Sequence, residues 1–89
     1  MHARRLRLVE AVAAAPLPDA QVETARRAVR VRAALERLSP TEREAVLLRY
    51  EADLAFRDIG EACGIDEATA RKRASRGLER LRKLLGDQS

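Results

Sequence analysis

The chain has 89 residues with 18 Lys or Arg against 14 Asp or Glu, a net charge of +4. This length allows one small domain with a marginal core and excludes two domains. Apolar residues make up 46% of the chain and aromatic residues only 2%, which argues for a helical domain and against disorder or an all-β fold. The scarcity of aromatic side chains also disfavours RNA-binding modules that stack bases on them.

Groups suited to catalysis or metal binding are scarce. One Cys and one His cannot form a disulfide or a four-ligand zinc site, so we expect no metal and no cofactor. A nucleophile and base pair would have to join His2 to Cys63 or to a serine, so an enzyme is the weakest hypothesis. Without a convincing signal peptide or an apolar run of about 20 residues, we expect a cytoplasmic protein with no membrane or small-molecule partner.

The sequence PLPD, residues 16–19, is the first boundary in the chain, because two nearby prolines interrupt a helix. It predicts a helical or flexible N-terminal arm over residues 1–20, a helical domain over residues 21–86 and a tail over residues 87–89. After it, apolar residues at three- and four-residue steps predict an amphipathic helix. The inward positions of this helix are Val22, Ala25, Ala28, Val31, Leu35 and Leu38.

The sequence SPTE, residues 39–42, predicts the start of a second helix. Ser39 can cap its free amides, Pro40 suits its first position, and Glu42 can reach back to the Ser39 amide to complete a capping box. The helix covers about residues 40–51. Its inward residues are Val46, Leu47 and Tyr50.

The segment FRDIGEAC, which follows, predicts a helix of about two turns. Gly64 permits a left-handed turn after it, and Asp66 can cap a long last helix that ends at Gly86. Gly60 allows the two helices to approach closely. The short helix should turn Phe56, Ile59, Ala62 and Cys63 inward, and Ile65 should plug the core. The long helix should bury Ala70, Ala74, Gly77 or Leu78, Leu81 and Leu85.

Positive charge is concentrated in the last helix. Residues 71–83 contain seven Lys or Arg against Glu79, a net +6, so the rest of the chain sums to −2. A short helix, a Gly turn and a basic helix together predict an all-α helix-turn-helix domain that binds duplex DNA. The basic helix alone is also consistent with a solvated face, a membrane-surface helix or a partner-binding helix.

Residues 35–85 resemble region 4 of bacterial sigma-70 factors, in particular the extracytoplasmic-function (ECF) group. The stretch LSPTEREAVLLRY is similar to the segment before the helix-turn-helix of that region, and FRDIGEACGIDEATARKRASRGLERLRKLL to the helix-turn-helix and its trailing helix. Residues 1–34 resemble, much more weakly, the Arg-rich linker between the family's two domains. The resemblance implies recognition of the promoter minus-35 element, docking on the β-subunit flap of RNA polymerase, and an anti-sigma factor as inhibitor.

The resemblance also implies which residues make contacts. The DNA base contacts are Glu67, Ala68, Arg71 and Lys72. Among them Arg71 and Lys72 suit guanine O6 and N7. The DNA phosphate contacts are Arg43, Arg57, Thr69, Arg73, Ser75 and Arg76. The contacts with RNA polymerase or an anti-sigma factor are Leu47, Leu48, Leu78, Leu81 and Leu85, which are equally consistent with core residues.

Nothing in the chain resembles the family's other domain, which recognises and melts the minus-10 element. We therefore expect the C-terminal portion of a longer protein, or an isolated domain, that does not direct open-complex formation alone. Two alternatives stay open: a dimerising stand-alone helix-turn-helix regulator, and an interaction module whose basic helix binds an acidic protein such as an anti-sigma factor. The long last helix favours the sigma domain over the regulator.

Overall fold

The computed structural model describes residue 8 and residues 21–86. This part of the chain contains four α-helices and no strand, which confirms the all-α prediction. The helices are α1 (Gln21–Leu35), α2 (Pro40–Val46), α3 (Phe56–Cys63) and α4 (Glu67–Gly86). The predicted tail and nearly all of the predicted arm, His2 included, lie outside the described residues, so the domain boundaries stay predictions.

The main core forms where α1, α2 and α4 meet. Val46 of α2 and Leu81 of α4 are fully buried in it. The predicted inward residues Ala28, Val31 and Leu35 of α1 are buried, and so is Leu38, although α1 ends at Leu35 and Leu38 lies in the turn after it. The prediction is wrong at Ala25, which is exposed because α1 reaches the core only from its next turn. The side chain of Val22 lies outside the described residues.

Leu8 belongs to the same core although it falls within the predicted arm. Its side chain is buried against the cluster that α1, α2 and α4 form. Its backbone amide donates a hydrogen bond to Oε1 of Glu51 at 3.2 Å. This position of the arm is therefore packed against the helical domain.

The capping box at the start of α2 is confirmed. Ser39 Oγ accepts from the Glu42 amide at 3.3 Å, and the Ser39 amide donates to Glu42 Oε1 at 3.4 Å. One turn later, Arg43 donates from Nε to the Leu35 carbonyl and from Nη2 to the Leu38 carbonyl, at 3.1 and 3.3 Å. The start of α2 and the end of α1 thus satisfy backbone groups that neither helix can satisfy internally.

Replacing Ser39 with Ala should lower the free energy of unfolding by about 1 kcal/mol, because the Glu42 amide loses its acceptor. Urea denaturation followed by circular dichroism measures the change. Ser75→Ala, at an exposed position in α4, is the matched control and should leave the midpoint unchanged or raise it slightly. An unchanged midpoint for Ser39→Ala would contradict a stabilising cap.

A π-helical turn, Leu47–Glu51, continues directly from the end of α2. The predicted extent of residues 40–51 is correct, and Leu47 and Tyr50 pack against the core as expected. The Ala52 amide donates to the Leu47 carbonyl at 3.0 Å, one residue further apart than in an α-helix. Asp53 follows with a left-handed φ of 62°, a conformation that Asp tolerates better than most residues.

Candidate nucleic-acid interface

The connection from α3 to α4 has the predicted turn geometry. Gly64 adopts a left-handed conformation with φ 71° and ψ 33°, and its amide donates to the Gly60 carbonyl. The Thr69 amide then donates to Asp66 Oδ1 at 2.7 Å, which caps α4 as predicted. Hydrogen bonds from the Thr69 hydroxyl and amide, with the nearby charge of Lys72, hold the pKa of Asp66 below its ordinary value.

Two glycines let α4 lie close to its neighbours. A Cβ atom on Gly60 would stand 2.6 Å from the Ile65 carbonyl oxygen, so only glycine fits beneath the turn. A Cβ atom on Gly77 would overlap the Val46 side chain and lie 3.2 Å from the Glu42 carbonyl oxygen. The buried face of α4 is therefore pressed directly against α2, and its outer face is left exposed.

The inward face of α3 is rotated from the predicted one. Ile59 and Gly60 are buried and Phe56 is half-buried, whereas Ala62 is exposed, so the prediction for Ala62 is wrong. Because the turn packs against Gly60, the buried face centres on the side that Gly60 occupies, and Ala62 lies away from it. Ile65 is only half-buried and therefore only partly plugs the core.

Cys63 is half-buried rather than fully buried. Burial raises the pKa of its thiol, and a hydrogen bond to Glu44 and the negative charge of that carboxylate raise it further. The positive charge of Arg73 acts in the opposite direction but is the smallest cause. The thiol therefore stays protonated at neutral pH, which makes it a poor nucleophile.

The residues proposed for base contact lie together on the exposed side of the first turns of α4. All four of them are exposed: Glu67, Ala68, Arg71 and Lys72. Arg71 Nη2 pairs with Glu67 Oε2 at 3.4 Å, and the two side chains remain 58% and 52% exposed. Both groups can therefore reach a ligand without any rearrangement of the core.

The residues proposed for phosphate contact surround this group, with one exception. Arg57, Ser75 and Arg76 are exposed, and Thr69 and Arg73 are half-buried at the side of α4. Arg43 differs, because its Nε and Nη2 already bind the carbonyl of Leu35 at the end of α1 and that of Leu38 in the following turn. The structure thus gives Arg43 a capping role that the sequence did not indicate.

The five leucines proposed for partner contact divide into two groups. Leu81 is fully buried and Leu78 nearly so, so these two are core residues, which corrects their assignment to a surface. Leu85 is half-buried and packs against the core. Leu47 and Leu48 line an open groove of about 440 Å³ along α2 and its π-helical turn, together with Pro40, Arg43 and Glu44.

Sequence reasoning missed a cluster around Phe56. The guanidinium carbon of Arg49 lies 4.3 Å from the centroid of the Phe56 ring, and that of Arg71 lies 5.1 Å from it. Arg49 also donates from Nη1 to the Leu54 carbonyl at 3.0 Å. The inward position of Phe56 was predictable from helical spacing, but no spacing rule pairs it with an arginine seven residues before or fifteen after.

Residues 8 and 21–86 contain no group of His, Cys, Asp or Glu side chains arranged to hold a metal ion. In the same part of the chain, no helix combines the length and apolar content that a membrane crossing needs.

A short helix, a left-handed Gly turn and a capped basic helix with an exposed outer face define a helix-turn-helix DNA-binding domain. Comparison with known families gives the particular type: the chain belongs to the family "Sigma-70, region 4", which matches residues 28–81. This is a family of non-catalytic transcription factors, and membership supports promoter recognition in transcription initiation.

Among curated proteins, the chain is similar to RNA polymerase sigma factor CarQ of Myxococcus xanthus. The two are 48% identical over 54 residues, which cover 61% of this chain and 31% of that relative. The chain thus matches less than a third of the length of the relative. No solved structure matches the chain significantly.

Proposed function

We propose that this chain recognises the minus-35 element of promoters as the region 4 domain of an ECF sigma factor, with α4 in the major groove. The observation that carries the proposal is the net +6 of residues 71–83 on a helix whose outer face is exposed along its length. A groove-bound helix needs cations for the phosphates and donors for the base edges, and this face supplies both.

Within the proposed complex, the first turns of α4 read the bases. Arg71 is the strongest candidate for guanine, because its planar guanidinium can donate to O6 and N7 together. Lys72 offers a second donor to a base edge, while Glu67 and Ala68 border the same surface. Phosphates on either side would meet the flanking groups, which are Arg57, Thr69, Arg73, Ser75 and Arg76.

RNA polymerase docking is proposed for the groove that contains Leu47 and Leu48. Val46 packs toward Gly77 on the buried face of α4, so α2 lies behind the face of α4 that is proposed to meet DNA. An apolar segment of the β-subunit flap seated in this groove would therefore leave that face of α4 open. Both contacts could be made at the same time.

Three further points belong to the proposal. The chain works in the cytoplasm, as the C-terminal portion of a longer sigma factor or as an isolated domain, and does not direct open-complex formation alone. An anti-sigma factor is the expected inhibitor, and it would act by covering the groove of Leu47 and Leu48 or the basic face of α4. No cofactor is required, because binding and positioning are the whole of the proposed activity.

Fluorescence anisotropy at several salt concentrations tests the DNA-binding step. The starting pool consists of minus-35-like duplexes with a randomised central segment. The probe is the duplex that the chain itself selects from this pool. If about six phosphates are neutralised, log affinity should fall with log salt concentration with a slope of about −5. A scrambled duplex of the same composition is the control and should bind more weakly with a similar slope. Undetectable or salt-independent binding would contradict the proposal.

A further inference from the structure

We infer that Phe56 is a positioning residue for base recognition, which holds the Arg71 guanidinium in place on the exposed face of α4. The inference rests on the proposed function, because it concerns how the base-reading arginine is oriented. Phe56 belongs to α3 and lies outside the set of residues expected to touch DNA. It would act through Arg71.

Two contacts of different kinds restrain Arg71 in the free domain. Its guanidinium carbon lies 5.1 Å from the Phe56 ring centroid, within the range of a cation–π interaction. Its Nη2 also lies 3.4 Å from Glu67 Oε2. The side chain nevertheless remains 58% exposed. The ring and the carboxylate therefore limit its conformations and leave it accessible to a ligand.

The ring is itself in contact with a second arginine. Arg49, in the π-helical turn after α2, places its guanidinium carbon 4.3 Å from the same ring centroid. Arg49 is fixed in turn by its hydrogen bond to the Leu54 carbonyl at 3.0 Å. A chain of contacts thus runs from the π-helical turn through Phe56 to Arg71, and it links the orientation of Arg71 to three elements of the fold.

Restraint of Arg71 should matter for specificity more than for overall affinity. Bidentate recognition of guanine requires a defined orientation of the guanidinium plane, whereas attraction to phosphates does not. An unrestrained arginine loses more side-chain freedom when it binds, and a side chain held beforehand avoids that cost. Removal of the ring should therefore weaken discrimination between bases and leave the salt dependence of binding unchanged.

A double-mutant cycle tests the inference. Phe56→Leu and Phe56→Tyr are each made in the parent chain and in the Arg71→Ala variant. The readout is the ratio of affinities for the selected duplex and for a duplex with one guanine replaced, measured by anisotropy. Phe56→Leu should reduce this ratio about two- to fivefold in the parent. It should have no effect in the Arg71→Ala variant, and Phe56→Tyr, which keeps the ring, should retain the parental ratio.

A second readout examines the contact without DNA. In an NMR spectrum of the free domain, the Arg71 Nε–H signal should be displaced by the ring current of Phe56. The displacement should vanish in Phe56→Leu and persist in Phe56→Tyr. Circular dichroism of each variant shows whether it is folded at the measuring temperature, and Phe56→Met, which fills a similar volume without a ring, takes the place of Phe56→Leu if Leu prevents folding.

The possible results distinguish a failure of the positioning role of Phe56 from a failure of the proposed function. Suppose that the parent binds its selected duplex specifically, but Phe56→Leu leaves the affinity ratio unchanged, or lowers it as much in the Arg71→Ala variant as in the parent. The positioning role of Phe56 is then wrong, and the proposed function stands. A ratio lowered to the same extent by Phe56→Tyr also contradicts the role of the ring. If the parent discriminates between no duplexes, the proposed function fails and the inference fails with it.

Discussion

Replacing Arg71 with Ala is expected to relax discrimination at one base pair of the bound duplex by about 1–3 kcal/mol, roughly 5- to 150-fold in relative affinity. The side chain lies on the exposed face of α4 near its start, and two contacts restrain it. In the proposed complex with DNA, its loss would remove two donors to one guanine. Discrimination at the other positions should change little.

The matched control for this prediction is Arg76→Ala. Arg76 is an exposed cation about one and a half turns further along α4 than Arg71. It is proposed to contact phosphate, so its removal should weaken binding to all duplexes alike and make the salt slope shallower by about one unit. Anisotropy with single-base variants of the selected duplex measures both effects. An equal loss of specificity in the two variants would show that this division into base and phosphate contacts is wrong.

Replacing Gly60 with Ala is expected to destabilise the domain by about 1–3 kcal/mol, or to prevent folding. The added Cβ atom would stand 2.6 Å from the Ile65 carbonyl oxygen, and the opposing group is backbone that cannot rotate away. The change acts against helix propensity, which alone would favour Ala by about 1 kcal/mol. A net loss would therefore show that the turn and α3 are closely packed.

Gly86 provides the matched control, because a Cβ atom there would have no neighbour within 4 Å. Gly86→Ala should leave the free energy of unfolding nearly unchanged, since it adds a methyl group in open space at the end of α4. Urea denaturation compares the two variants under the same conditions. A Gly60→Ala variant as stable as the parent would contradict the close approach at the turn.

Local sequence signals predicted much of this domain correctly. The capping box at Ser39, the left-handed turn at Gly64 and the Asp66 cap each depend on residues within four positions of one another. Such contacts follow from backbone geometry before any tertiary packing is known. The concentration of positive charge in α4 was equally readable, because it falls within one short segment, residues 71–83.

Features that depend on tertiary packing were not predictable in this way. The exposure of Ala62 follows from the rotation of α3 that brings Gly60 against the turn. The capping role of Arg43 depends on where α1 ends relative to α2. The association of Arg49 and Arg71 with Phe56 joins three elements of the fold. Helical periodicity shows which face of a helix is buried but not which side chains meet across elements.

The candidate interface also combines features that the sequence predicted with features that only tertiary packing decides. The base-contact group was assigned to the start of α4 from the family resemblance, and the structure leaves all of its members exposed. The leucines proposed for partner contact carry the same apolar signal whether they form core or interface. Packing separates them: Leu78 and Leu81 are buried, whereas Leu47 and Leu48 line the groove.

An NMR titration of the isotope-labelled domain with its selected duplex tests the central claim, that α4 enters the major groove, most directly. The backbone amide signals of residues 66–76 and the side-chain signal of Arg71 should show the largest changes, while those of α1 stay nearly constant. A scrambled duplex should produce smaller and more diffuse changes. The largest changes in α1 or along the groove of Leu47 and Leu48, with α4 unaffected, would contradict the claim.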